Sequence, residues 1–137
     1  MKVLVIDDKS EQLALAKDAA ERMGWEAIAE NPTTEGDLRW HKLMESADGV
    51  VTDLIWCGPD CGPKPSGLLV VIHALSLGKP VVICTDGTEY PGGHHGDAIG
   101  FINDGYRTSV RSNCPFGWEE RKDWNRAMKL LAERLNK

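Results

Sequence analysis

Three short apolar runs set the limits on what this chain can fold into: "VLVI" from Val3, "GVVTDL" from Gly49 and "VVICT" from Val81. The first is continuous rather than alternating, which suits a strand covered on both faces and not one with a wet side. Segments of helical periodicity separate the runs. Ser10 is placed to cap a helix reaching Met23, with Leu13, Ala16, Ala20 and Met23 on one face and Gly24 as its stop. Trp25 to Ala29 reads as a second strand. Asn31-Pro32-Thr33-Thr34 reads as a turn, and Glu35 to Ser46 as a second helix.

Ser66 is expected to cap an apolar helix over Gly67 to Leu77, which Gly78 stops before Pro80 leads into the fourth strand. A glycine-rich loop from Asp86 to Gly96 precedes a short helix predicted near Asp97 to Asp104. A fifth strand is predicted over Thr108 to Asn113, and a last helix over Glu119 to Leu135, where Trp124, Met128, Leu131 and Leu135 recur at helical spacing. Strands alternating with helices imply a parallel sheet with helices on both faces and right-handed crossovers. No repeat or linker divides the chain, so residues 1–137 are expected to form one α/β domain.

With 42% hydrophobic and 27% charged residues, the composition is that of a soluble globular protein. A net charge of −5 lacks the basic footprint of a nucleic-acid binder. No apolar run approaches the roughly 18 residues of a membrane span. The acidic turn after Ile6 leaves too short an apolar stretch for a secretion signal. The expectation is a cytoplasmic protein with neither nucleic acid nor membrane as partner. Its four cysteines, Cys57, Cys61, Cys84 and Cys114, are expected to be reduced thiols.

In an open parallel sheet, ligands bind beyond the carboxyl ends of the strands, where the strand order reverses. Asp7 and Asp8 follow the first strand and Asp53 ends the third. Any one of them can simply cap a helix or turn. Together, on neighbouring strands, they would crowd three negative charges into one crevice, where a counter-charge is needed. A hard divalent cation such as Mg²⁺ suits such an oxygen-rich set.

"VLVIDD", "VVTDL" and "VVICT" together resemble the response-regulator receiver domain, along essentially the whole chain. The resemblance implies a flavodoxin-like (βα)5 domain of sheet order 2-1-3-4-5. It implies that Asp53 is the phospho-acceptor in a phosphorelay of two-component signal transduction. By the same resemblance Asp7, Asp8, Asp53 and the backbone carbonyl of Ile55 hold Mg²⁺, and Thr85 is the switch hydroxyl. The partners implied are a sensor histidine kinase or phosphotransfer protein and a downstream protein; the chain would be a self-phosphorylating acceptor rather than a turnover enzyme. "PSG" from Pro65 fits the approach to the family's third helix.

Two features depart from the family. Receivers carry a lysine after the fifth strand, followed by proline and often an aromatic. The nearest match here is "NCPF", with Cys114 standing in the lysine's place, and Lys64 and Arg111 as alternative phosphate contacts. Lys79 belongs at the opposite end of strand four. The loop between Asp53 and Gly67 is long and stiff, and holds Cys57 and Cys61. With His94, His95 and Cys114 on the same edge it can be read as a Zn²⁺ site, as a redox pair, or as a plain surface loop. Cys84, within a strand, reads as a buried small hydrophobe.

Three functions stay open: a phosphorylated receiver, a pseudo-receiver that binds a partner without phosphate, and an enzyme similar to nucleoside deoxyribosyltransferases. "GLLVVIHALSLGKPVVICTDG" carries that last similarity, although the helix lacks the glutamate such an enzyme uses.

Overall fold

A computed structural model describes residues 1–32, 39–54, 56–58, 61–64, 66–85, 116–119 and 121–136, without the side chains at 57, 58, 61–64 and 118. In chain order the elements are β1 (Lys2–Ile6), α1 (Ser10–Arg22), β2 (Glu26–Glu30), α2 (Arg39–Ser46), β3 (Gly49–Thr52), β4 (Trp56–Gly58), β5 (Cys61–Lys64), α3 (Gly67–Ser76), β6 (Val81–Cys84), β7 (Gly117–Glu119) and α4 (Trp124–Leu135). β2, β1, β3, β6 and β7 form one sheet in that order, every neighbouring pair parallel. This is the flavodoxin-like order expected, with β7 in the fifth place.

Side-chain alternation along the central strands divides the core in two. Leu4, Ile6, Val50, Val81 and Ile83 pack on one face against Trp40 and Met44 of α2 and Val70, Val71 and Ala74 of α3. Val3, Val5, Val51, Val82 and Cys84 pack on the other against α1 and against Trp124, Met128 and Leu131 of α4. The runs Val3 to Ile6, Val50-Val51 and Val81 to Cys84 are therefore apolar because both faces of these strands are dry. Cys84 is fully buried and unpaired, as its place in a strand suggested. Among the described residues no helix is long and apolar enough to cross a membrane.

Four expectations need correction. α1 starts at Ser10 itself, the cap position falls to Lys9, and no side chain caps it. Ser66 does stand at the cap of α3, but its backbone is helical and its hydroxyl makes no capping bond. The fifth strand is Gly117–Glu119 and not the predicted Thr108 to Asn113, which lies outside the described residues. The final helix begins at Trp124 rather than Glu119, because Glu119 is a strand residue and Asp123 caps the helix by accepting the Arg126 N–H at 3.1 Å. The helix predicted over residues 97–104 lies outside the described residues.

The segment between Asp53 and Gly67 is no plain loop. β4 and β5 pair as an antiparallel hairpin whose register slips between Cys57 and Gly58. Buried Trp56 ties it to the same core cluster as Leu54 and Val71.

Candidate functional site

Strand register creates the acid cluster. Ile6 pairs with Thr52, so the residues after them, Asp7 and Asp53, leave the sheet side by side at its carboxyl edge. The Asp53 N–H donates to the Ile6 carbonyl at 2.8 Å, which carries the pairing one step further. Asp7 is fully buried and Asp53 is 4% exposed. With half-buried Asp8 they offer carboxylate oxygens that all lie within 4.8 Å of one another. One Asp7 oxygen also accepts the Lys9 N–H at 2.9 Å, which fixes the turn into α1.

The counter-charge comes from a residue that motif reading passed over. Lys122 Nζ donates to Asp7 Oδ2 and lies 3.2 Å from Asp53 Oδ1. Its backbone has φ 55°, in the left-handed region that residues with a Cβ rarely enter. Its N–H reaches the Thr85 carbonyl at 3.3 Å, and the Thr85 N–H reaches the Glu119 carbonyl at 2.9 Å. Thr85 is buried at the same edge. Among the described residues the cation beside the acids is Lys122, which follows β7, whereas Cys114, expected in the lysine's place, lies outside the described residues. Two clues were in the chain: a lysine directly before an Asp-capped helix, and a buried acid cluster in need of a cation.

The other candidates divide as follows. Lys79 sits at the far end of β6, donating to the carbonyls of Glu45 and Ala47, and stays away from the acids as expected. Ile55, Arg111, Cys114, His94 and His95 lie outside the described residues, as do the side chains of Lys64, Cys57 and Cys61. The zinc and redox readings of the loop fall on these residues.

α3 is pressed hard against the site. The Gly67 N–H donates to the Leu54 carbonyl at 2.8 Å. A Cβ on Gly67 would fall 2.2 Å from the Asp53 carbonyl oxygen and 2.7 Å from Leu54 Cα.

Burial dominates the electrostatics. It drives the Asp53 carboxyl up to about 7, against the pull of Lys122 and with added repulsion from Asp7 and Asp8. Asp7 is raised for the same first reason, partly offset by Lys122. Burial would lower the Lys122 ammonium, but Asp53 and Asp7 outweigh it and the net shift is upward. Among the described residues, three acids facing one firmly held cation leave a negative surplus.

A pH dependence follows. Between about pH 4 and pH 7 the folded chain keeps a proton on Asp53 that the unfolded chain has lost, so in metal-free buffer this group lowers stability as pH rises. Over that window the Asp53→Asn variant should gain on wild type by about 3 kcal/mol, measured by denaturant unfolding at each pH. A constant gap between the two would refute the burial argument.

The fold that carries this site is shared with proteins of known structure. A response regulator receiver protein from Sinorhizobium medicae WSM419 superposes with a TM-score of 0.61, covering 99% of this chain and 94% of its own at 16% identity. A response regulator receiver domain protein from Clostridium thermocellum gives 0.60, with 98% and 94% covered at 23% identity. The N-terminal domain of a response regulator/sensory box/GGDEF three-domain protein from Carboxydothermus hydrogenoformans gives 0.61, with 99% and 94% covered at 16% identity. The chain has the response-regulator receiver fold. No family model matches the sequence, and no curated protein matches it. At these identities the likeness speaks for the fold alone, so the chemistry of this receiver fold rests on its own residues.

Proposed function

We propose that the chain is a phosphate-accepting receiver in a phosphorelay, with Asp53 as acceptor. The observation that carries this reading is the Lys122 ammonium set between Asp7 and Asp53, with Asp8 completing the acid cluster. A buried ion-paired group is costly to keep in a fold. Gathering three acids and a lysine at a sheet edge suits a site that handles a more highly charged guest.

The donors are hard oxygens, and their surplus negative charge fits Mg²⁺. Asp7, Asp8 and Asp53, with the Ile55 carbonyl, would hold it. When bound, the ion would neutralise charge on the phosphoryl oxygens, which is most of what phosphoryl transfer asks of a protein. An ionised Asp53 oxygen attacks phosphorus and forms the new P–O bond. The donor's bond to phosphorus breaks, and the leaving group departs with the electron pair. Lys122 meets the transferred group as a point charge. The Thr85 hydroxyl turns toward the new acyl phosphate.

The donor would be a sensor histidine kinase or a phosphotransfer protein, and a downstream protein would read the two-state change that follows. Acetyl phosphate with Mg²⁺ should add one phosphoryl group to wild type by intact mass, and none to Asp53→Asn. Equal labelling of the two would discard the acceptor assignment. No labelling of either would favour the pseudo-receiver.

A further inference from the structure

The turn that carries Lys122 is held by a carboxylate that no part of the mechanism uses. Glu119 ends β7 and is buried at 7% exposure. One of its oxygens accepts the Arg121 N–H at 3.0 Å, and the other lies 3.4 Å from Arg126 Nε. Its backbone carbonyl takes the Thr85 N–H. Beyond Lys122, Asp123 caps α4 on the N–H of that same Arg126. Lys122 is therefore flanked by two acids that fasten the chain on either side of it.

Such fastening is needed. A residue with a Cβ in the left-handed region costs about 1 kcal/mol, and the conformation persists only where neighbours over-determine it. No proline follows Lys122 to restrict the turn; the next residue is Asp123. Among the described side chains, Glu119 alone bonds to the backbone of the residue before Lys122. The Arg126 side chain is two-thirds exposed, so its ion pair adds little and the Arg121 N–H bond is the main restraint.

We propose that Glu119 is a positioning residue for Lys122, its buried carboxylate fixing the turn that aims the ammonium at Asp53. The phosphate arm of the test below rests on the receiver reading; the stability arm does not.

The test compares Glu119→Ala, Glu119→Gln and Lys122→Met in the full chain. At saturating Mg²⁺ and well below melting, Glu119→Ala should take phosphate from acetyl phosphate about tenfold more slowly than wild type, with the half-saturating Mg²⁺ concentration shifted less than about twofold. Glu119→Gln keeps an acceptor for the Arg121 N–H and should recover to within about threefold of wild type. A merely structural glutamate would lower the melting temperature and leave the rate of the folded protein alone. In metal-free buffer, the melting-temperature losses of Glu119→Ala and Lys122→Met should combine to less than their sum, because the second change removes what the first positions. Full rate in Glu119→Ala beside a slowed Lys122→Met would overturn the proposal, and so would strictly additive melting losses. Should wild type take no phosphate, or Asp53→Asn take as much, the receiver reading fails and the thermal cycle alone decides.

Discussion

Replacing Lys122 by methionine should slow phosphate uptake about 100-fold while Mg²⁺ binds more tightly than to wild type. The two effects have opposite signs because the ammonium plays two parts. Before the reaction it neutralises Asp7 and Asp53 from 3.2 Å or less, and so competes with any ion seeking the same oxygens. During transfer it would face charge on the phosphoryl group in a buried site, where a fixed cation counts for far more than in water. Methionine keeps much of the apolar stem that crosses the site and removes only the charge. Mg²⁺ titration followed by intrinsic tryptophan fluorescence, each variant against its own metal-free baseline, and uptake from acetyl phosphate separate the two parts. A variant with unchanged uptake would remove Lys122 from the chemistry, whatever its effect on the metal.

The second large effect is expected at a residue with no side chain. Gly67→Ala should cost about 3 kcal/mol of stability and lower the melting temperature by roughly 10 °C. The added methyl meets backbone, not the movable tip of a side chain: the Asp53 carbonyl oxygen at 2.2 Å and Leu54 Cα at 2.7 Å. Either α3 lifts away, which breaks the Gly67 to Leu54 hydrogen bond, or the end of β3 moves and carries Asp53 with it. Phosphate uptake should fall with stability for the second reason. Gly24→Ala makes the comparison: its φ of 77° carries a conformational cost, but nothing lies within 4 Å of the new methyl. That change should cost only about 1 kcal/mol and spare the site. Equal losses at the two glycines would show that the contact at Gly67 relaxes easily.

What could be read from the chain, and what could not, divides along physical lines. β1, β3 and β6 were legible because strands dry on both faces are written as unbroken apolar runs, and the acids ending two of them then fell at one edge of the sheet. β7 has three residues, one a glycine and one a glutamate. Its pairing with β6, not its own composition, makes it a strand. A fifth strand expected over Thr108 to Asn113 points to Cys114 for the residue after it, whereas the strand described beside β6 is followed by Lys122. The helix pattern through Trp124, Met128 and Leu131 was sound, yet it was extended back across the turn that matters most. The hairpin after Asp53 was hidden because proline and glycine argue for a loop, whereas buried Trp56 ties that segment to the core.

Lys122 hangs by its own amide from the Thr85 carbonyl, one residue past the end of β6. A cation borne on a free loop could follow an incoming anion wherever it settled. This one is borne on main chain bonded to the Thr85 carbonyl, so its amide is tied to the sheet edge and any reach of the ammonium falls to its four-carbon stem.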